Sequence, residues 1–281
     1  MKQRVFYGAA FAAIAVFCVV FNVWTRVLFL AVCGAIACHE MRNALGKIGY
    51  RIPKWFSYAS YIVCCALVAV NSIINYTADT GIDTVRNYTG YVFPAFVVLV
   101  VALFCQLILK GNIGVKDVLA ALGMCGYPLC SLVLLVHIAG QQTIWAAIML
   151  NSIMPACVCD MFALFGGRCF GKHKLCPHIS PKKTVEGLIS GLIMGAVSGL
   201  PVHVILGVFS RNVVPLWAEV VGALLASLAG ALGDLAASAI KREAGIKDYS
   251  NLIPTHGGMM DRVDSIIFAA PVVYMLYALF I

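Results

Sequence analysis

Hydrophobic residues along this chain form long, nearly continuous runs that are separated by polar segments. A run of about 20 apolar residues can cross the hydrocarbon core of a bilayer as a helix. The runs do not alternate as the strands of a membrane β-barrel do. We therefore predict an all-α polytopic integral membrane protein with about nine transmembrane helices. The predicted spans cover residues 5–21, 24–39, 55–75, 91–109, 118–138, 142–165, 187–208, 213–240 and 263–281.

The first apolar stretch, from Val5 to Cys38, allows two interpretations. It is too long for one ordinary span, and Asn22 and Arg26 interrupt it, so two short spans with a tight turn are predicted. One span in place of two would put the N-terminus on the other side of the membrane. Over the whole chain we expect N-terminal transmembrane helices in residues 1–110 and a C-terminal catalytic transmembrane region in residues 111–281.

The composition agrees with a membrane protein and excludes other classes. Hydrophobic residues make up 62% of the chain and charged residues 11%, whereas soluble domains are about half apolar and a quarter charged. Soluble enzymes, disordered tails and coiled coils are thus excluded. Most of the 12 cysteines lie inside apolar runs, where Cys acts as a small hydrophobe, so no disulfide framework is expected.

The basic residues follow the predicted topology. With nine spans and a cytoplasmic N-terminus, all of the 20 Lys and Arg except Arg26, Arg86 and Arg211 fall on the cytoplasmic side, as the positive-inside rule requires. We therefore interpret the net charge of +8 as topology signals and contacts with the lipid bilayer. No nucleic-acid partner is expected. The expected location is the cell inner membrane, with the active site on the cytoplasmic side.

Two long polar loops in the C-terminal third, residues 166–186 and 241–262, carry the candidate chemistry. In the first loop, Ser180 and Pro181 predict a helix start, with Ser180 as the N-cap and Pro181 as the first helical residue. Lys182, Lys183 and the free amides of that first turn would then face an anion. The alternative is a capped helix whose lysines lie at the membrane interface.

Acidic residues occur at helical spacing around the second loop. Asp234, Ser238 and Lys241 are at i, i+4 and i+7 and share one helix face. Asp261 and Asp264 are at i and i+3 at the start of the last span. Carboxylates without a Cys or His pattern suit Mg²⁺, and the surrounding cations suit phosphate, so the pattern indicates phosphoryl or nucleotidyl transfer. A structural salt-bridge network is the alternative.

The run from Ser238 to Asp264 resembles the signature of the phosphatidate cytidylyltransferase (CDP-diacylglycerol synthase) family. The positions that carry the resemblance are Ser238, Lys241, Arg242, Lys247, Asp248, Pro254, His256, Gly257, Gly258, Asp261, Arg262 and Asp264. The block Ser180–Gly187 and the pair Gly233–Asp234 also resemble the family, whereas Thr255 stands where the family commonly has Gly. The resemblance covers residues 160–265 and is weak over the first 110 residues.

The resemblance implies transfer of CMP from CTP to phosphatidate, which gives CDP-diacylglycerol and pyrophosphate in phospholipid biosynthesis. It implies Mg²⁺ bound by Asp234 and Asp261, with a further cation nearby. We assign catalytic roles to Lys241, Arg242, Asp248 and Asp264. The candidate substrate-binding residues are Ser180, Lys182, Lys183, Thr184, Ser238, Lys247, His256, Gly257, Gly258 and Arg262. For His256 a turn or phosphate contact is favoured over acid–base catalysis.

Two other functions use related features. A CTP-dependent cytidylyltransferase or kinase acting on another membrane lipid, of the isoprenoid or polyprenol type, would need the same metal and cations. A transporter would need charges near the bilayer midplane, and the first five predicted spans contain almost none.

A glycine stripe marks the seventh predicted span. Gly187, Gly191, Gly195 and Gly199 recur at intervals of four residues, a spacing that allows two helix backbones to approach closely. Two interpretations are open: the stripe packs inside one helix bundle, or it forms the interface of a homodimer.

Overall fold

The computed structural model describes residues 13–78, 84–111, 113–141, 144–209, 214–252 and 257–280. These residues are mainly α-helical, as predicted, and the first helix, α1, is described over residues 13–21. The other elements are α2 (Val23–Ile48), α3 (Lys54–Ala78), α4 (Thr84–Lys110), α5 (Val115–Met124), a π-helical segment (Cys125–Leu129), α6 (Cys130–Gly140), α7 (Trp145–Phe170), β1 (Lys174–Cys176), β2 (Ser180–Thr184), α8 (Val185–Val197), α9 (Gly199–Val208), α10 (Leu216–Glu243) and α11 (Met260–Ala278).

Several of these helices have the length and composition of membrane spans. Within the described residues, five qualify: Val23–Ile48, Val115–Gly140, Trp145–Phe170, Val185–Val208 and Leu216–Glu243. Their outer surfaces expose large apolar side chains, for example Val204 at 64% and Trp217 at 61%. Exposed apolar surface on this scale is typical of helices that face lipid. The predicted class of all-α membrane protein is therefore confirmed, and the count of nine spans stays a prediction.

The helix ends differ from the predicted span ends because polar residues continue a helix beyond its apolar run. The predicted break near Asn22 is present, and the Asn22 side chain accepts a hydrogen bond from the Trp24 amide at the start of α2. However, α2 continues to Ile48 and therefore includes the basic residues Arg42 and Lys47. Gly49 ends it in the left-handed region, at φ 110°, which glycine adopts without strain.

The chain divides into two compact units. The first comprises Met1–Gln141 and Glu243–Asp261, and the second comprises Gln142–Arg242 and Arg262–Ile281. In the first unit, α2 packs against α3 and α6. In the second unit, α7 packs against α8 and α9.

The glycine stripe packs inside the second unit. A Cβ atom added at Gly191 would lie 2.6 Å from the carbonyl oxygen of Cys159, and one at Gly187 would lie 2.5 Å from that of Ala163, so α8 contacts the backbone of α7 directly. A Cβ at Gly199 would lie 2.9 Å from the carbonyl oxygen of Glu219 on α10. Of the two interpretations of the stripe, these contacts support packing within one chain.

The segment before α8 is a β-hairpin, which corrects the predicted helix start at Ser180. Residues Ser180–Thr184 form β2 and pair antiparallel with β1, with Cys176 opposite Ser180. The helix begins only at Val185, and Thr184 is its N-cap: the Thr184 hydroxyl accepts a hydrogen bond from the Gly187 amide at 3.1 Å. Strand pairing therefore satisfies the backbone around Ser180, and Lys182 and Lys183 lie on a strand and not on a first helical turn.

Candidate active site

A cavity of about 560 Å³ lies in the second unit between α7, the β-hairpin, the start of α8 and α10. Six charged side chains line it: Asp160, Arg168, Lys174, Lys182, Lys183 and Asp234. The rest of the wall is mainly apolar and includes Leu164, Leu175, Leu188 and Leu235. Four cations against two carboxylates give the cavity a net positive charge, which favours an anionic ligand.

Two of the residues that line this cavity form an ion pair. The Lys183 ammonium lies 2.6 Å from Oδ2 of Asp234, and each side chain keeps about a quarter of its surface exposed (28% and 27%). The Ser238 hydroxyl, one turn along α10, lies 3.5 Å from Oδ1 of Asp234, a distance at which a hydrogen bond is weak. The structure thus brings the predicted substrate residue Lys183 to the predicted metal ligand Asp234.

A carboxylate at the start of α8 holds the hairpin beside this cavity. Glu186 accepts hydrogen bonds from the amides of Lys172 and His173, at 3.1 and 3.2 Å. The His173 Nδ1 atom also lies 2.6 Å from Oε1 of Glu186. The chain that leaves α7 is thereby fixed to the start of α8, which positions the cationic strands β1 and β2 that lie between them.

Three of the charged residues that line the cavity were not among the predicted site residues. Asp160 on α7 lines the same cavity as Asp234, and Arg168 and Lys174 add two cations. Asp160 carried a signal in the sequence, since an acidic residue inside an apolar run is costly and usually functional. Arg168 and Lys174 carried none beyond their charge.

In the first unit, the predicted metal ligand Asp261 is fixed by the main chain around it. Its Oδ2 atom accepts hydrogen bonds from the amides of Tyr249 and Gly258, at 2.9 and 3.0 Å. Gly257 has φ +83°, in the left-handed region, which favours glycine. The predicted residue Asp248 lies beside Gly257, because a Cβ added to that glycine would be 3.4 Å from the Asp248 Cβ.

A second carboxylate, that of Glu40, contacts the same segment and was not among the predicted site residues. Glu40 on α2 is 3% exposed and accepts hydrogen bonds from the Ser250 hydroxyl, at 2.5 Å, and from the Met260 amide, at 2.7 Å. No motif pointed to Glu40, because it lies among basic residues in the part of the chain where the resemblance is weak.

The other predicted residues have varied surroundings. Lys241 is buried on α10 at 8% exposure, and Asp264 is equally buried on α11. The Arg242 Nε atom lies 3.4 Å from the carbonyl oxygen of Ile179, close to the hairpin. Arg262, Lys247 and Asp248 are exposed, and Ser180 is half-buried. His256 lies outside the described residues.

The donor chemistry of the cavity fits Mg²⁺, which proteins commonly bind through one or two carboxylates together with substrate phosphates. Asp160 and Asp234 supply two carboxylates. Among the described residues there is no group of three or more His, Cys, Asp and Glu side chains arranged to hold a metal ion, so a bound cation would complete its coordination with water or with substrate oxygens. Asp234 and Asp261 belong to different units, and the metal site predicted to join them stays a prediction.

Comparison with known proteins agrees with these features. The family model described as "Cytidylyltransferase family" matches residues 2–280. The chain is similar to proteins named phosphatidate cytidylyltransferase from three bacteria. It is 42% identical to that of Staphylococcus saprophyticus over 117 residues (42% of this chain, 44% of the relative). It is 41% identical to that of Bacillus subtilis over 135 residues (47% and 49%), and 38% identical to that of Aquifex aeolicus over 157 residues (53% and 53%). The chain spans about half the length of the curated relatives it matches.

Proposed function

The chain belongs to the cytidylyltransferase family, and we propose that it is a phosphatidate cytidylyltransferase. It transfers CMP from CTP to phosphatidate and releases pyrophosphate, so that CDP-diacylglycerol enters phospholipid biosynthesis. The observation that carries the proposal is the cavity of the second unit, in which four cations and two carboxylates meet beside an apolar wall. The substrates are inferred from the names of the relatives, and the cations and carboxylates of the cavity suit phosphate-containing substrates of this kind.

The charges of the cavity suit a nucleoside triphosphate. Arg168, Lys174, Lys182 and Lys183 can bind the oxygens of the triphosphate and of the phosphatidate headgroup, because each cation is within the same cavity. The apolar wall suits the neighbouring lipid. Cations placed where negative charge develops on a leaving group lower the barrier of its departure, and here that leaving group is pyrophosphate.

The reaction is an in-line displacement at phosphorus. A phosphate oxygen of phosphatidate attacks the α-phosphorus of CTP, a new P–O bond forms, and the bond between the α-phosphorus and the bridging oxygen of the β-phosphate breaks. A phosphate monoester is already anionic near neutral pH, so the attacking oxygen needs no strong general base. Lys241 and Arg242 are proposed to orient the phosphates, with Asp248 and Asp264 orienting the basic groups.

Mg²⁺ is the proposed cofactor, with Asp234 and Asp261 as its ligands and a second cation nearby. When bound, it would stabilise negative charge on the transferring and departing phosphates. The chain's own contribution is to fix the ligands. Lys183 holds Asp234 at 2.6 Å, and the amides of Tyr249 and Gly258 hold Asp261.

We further propose nine spans, a cytoplasmic N-terminus and a cytoplasmic active site in the inner membrane. The five long apolar helices and the distribution of the 20 Lys and Arg support this topology. A cytoplasmic site has direct access to CTP, while phosphatidate reaches it from the bilayer.

Radiolabelled CTP tests the proposed function in detergent-purified protein. CTP labelled at the α-phosphorus should transfer its label to phosphatidate, and CTP labelled at the γ-phosphorus should release it as pyrophosphate. Asp234→Asn is the matched control and should show neither product. Label from the γ-phosphorus in the lipid would indicate a kinase, and transfer of the α-label only to a polyprenyl phosphate would indicate the other lipid substrate. Absence of all lipid-dependent CTP turnover would refute an enzyme of this class and favour a transporter.

A further inference from the structure

Glu40 on α2 is a buried carboxylate whose partners lie far along the chain. Its exposed fraction is 3%. Oε1 accepts hydrogen bonds from the Ser250 hydroxyl, at 2.5 Å, and from the Met259 amide, at 3.0 Å. Oε2 accepts a hydrogen bond from the Met260 amide at 2.7 Å. All four residues belong to the first unit, so this contact fixes the segment between α10 and α11 to the N-terminal helices.

The hydrogen bonds to Glu40 take the place of an N-cap side chain at the start of α11. Met260 is the first residue of α11, and the first amides of a helix have no acceptor within the helix. An N-cap side chain normally accepts from such amides, and a negative charge there is favourable. Glu40 supplies that acceptor and that charge from another helix, 220 residues away in sequence from Met260.

Glu40 and Asp261 accept hydrogen bonds from different residues of the same segment, the one between α10 and α11. Glu40 accepts from residue 250 and from residues 259 and 260, whereas Asp261 accepts from residues 249 and 258. Along the chain, a donor to Asp261 is therefore followed directly by a donor to Glu40, both before and after residues 253–256. The main chain cannot move away from Glu40 without also disturbing the hydrogen bonds of Asp261.

Each of the two glycines in this segment lies close to one of the two carboxylates. A Cβ added at Gly258 would lie 2.6 Å from Oε2 of Glu40, well inside van der Waals contact. A Cβ added at Gly257 would lie 3.0 Å from Oδ2 of Asp261, and the φ of this residue is +83°. Each glycine of the family-like motif is thus required by a close approach to one of these acids.

We propose that Glu40 is a positioning residue for Asp261. It holds Ser250, Met259 and Met260, the last two directly before Asp261. It thereby sets the direction in which the Asp261 carboxylate meets a divalent cation. This inference rests on the proposed function, in which Asp261 is a metal ligand. Partners that orient metal ligands typically contribute 10–100-fold to metal affinity.

Glu40→Gln is the test variant, because glutamine keeps the size of the side chain but turns an NH₂ group toward a main-chain donor. Asp117→Asn is the matched control. Asp117 is also 3% exposed and lies in the same unit. It accepts hydrogen bonds from the amides of Arg51 and Gly114, both at 2.8 Å, at the start of α5. Each substitution thus damages one buried carboxylate that accepts main-chain hydrogen bonds, but only Glu40 contacts the Asp261 segment.

Two measurements distinguish positioning from general stability. Mn²⁺ binding to the substrate-free protein in detergent is followed by electron paramagnetic resonance, and the Mg²⁺ dependence of CMP transfer is measured separately. Glu40→Gln should bind Mn²⁺ about tenfold more weakly and need correspondingly more Mg²⁺. Asp117→Asn should lower Tm while leaving both values unchanged. Wild-type Mn²⁺ affinity in Glu40→Gln, or an equal loss in Asp117→Asn, would overturn the proposal.

A second variant decides the question if Glu40→Gln does not fold. Ser250→Ala removes one of the three donors and leaves both main-chain hydrogen bonds of Glu40, so a smaller loss of Mn²⁺ affinity in the same direction is expected. Unchanged Mn²⁺ affinity in folded Ser250→Ala would then refute the role of Glu40. Wild-type protein that transfers no CMP from CTP to phosphatidate would refute the proposed function instead, independently of both variants.

Discussion

The Lys183 ammonium on β2 lies 2.6 Å from Oδ2 of Asp234 on α10. Because both side chains are about a quarter exposed, water screens the pair and its contribution to stability is small, about 0–1 kcal/mol. Its importance is positional. The pair joins the cationic hairpin to the carboxylate that the sequence predicts as a metal ligand, so substitutions at Lys183 should change catalysis more than folding.

Lys183→Ala should lower kcat about tenfold, which corresponds to about 1.4 kcal/mol in the barrier. Asp234 would lose the partner that orients it. The neighbouring Lys182 lines the same cavity but is exposed. Lys182→Ala should therefore mainly raise the KM for CTP and remain partly active. Steady-state kinetics with both substrates check the difference, and identical kcat values in the two variants would contradict it.

Asp234→Asn and Asp261→Asn should each be nearly inactive at every Mg²⁺ concentration. Asparagine keeps the shape of the side chain but loses the negative charge that a hard cation requires. Insertion into the membrane should be unaffected, because the apolar helices do not depend on these groups. Near wild-type turnover with normal Mg²⁺ dependence in Asp261→Asn would show that the metal assignment is wrong. Asp160 with Asp264 would then be the next pair to test.

Gly191→Leu and Gly195→Leu should destabilise the protein. At Gly191 even a Cβ would lie 2.6 Å from the Cys159 carbonyl oxygen, so a larger side chain must separate α8 from α7. Ile193→Leu is the control, because Ile193 lies on the outer face of α8 and is 58% exposed. Thermal unfolding in detergent measures the effect. Equal melting temperatures for all three variants and wild type would contradict the close packing.

Tyr277→Phe should destabilise the second unit by roughly 1–3 kcal/mol, because the buried Glu219 carboxylate loses one of its hydrogen-bond donors. The Tyr277 hydroxyl donates to Oε2 of Glu219 at 2.7 Å, and Asn151 Nδ2 donates to the same oxygen at 2.8 Å. All three side chains are fully buried.

Turnover at temperatures well below Tm should be unchanged in Tyr277→Phe. Glu219 and Asp234 lie on the same helix, α10, separated by about 22 Å at 1.5 Å per residue. A loss of kcat without a loss of Tm would assign this cluster to catalysis and contradict a purely structural role.

A reporter fused after Ile281 tests the nine-span topology. With a cytoplasmic N-terminus and nine spans, the C-terminus lies across the membrane. Alkaline phosphatase at this position should therefore be active, and green fluorescent protein should be dark. A fusion at Met1 is the control and should show a cytoplasmic signal. Cytoplasmic fluorescence from the C-terminal fusion would refute an odd number of spans.

The sequence by itself determined the class of fold and the helical spacing of several candidate site residues. Long apolar runs must form helices in a bilayer, because only internal hydrogen bonds satisfy the backbone there. The spacing of Asp234, Ser238 and Lys241 predicts that they share one face of a helix. In the structure all three lie on the helix α10. These are local consequences of residue type and periodicity, which need no knowledge of distant contacts.

The tertiary structure alone decided how distant segments combine. The strand at Ser180 depends on pairing with Lys174–Cys176. This pairing replaces the helix start that Ser180 and Pro181 predict. The cavity joins Asp160 on α7 to Asp234 on α10, and Glu40 meets Met260 across 220 residues. Hydrogen bonds and cavities of this kind depend on packing between elements, and no periodicity within one element encodes which of the chain's carboxylates will be brought together.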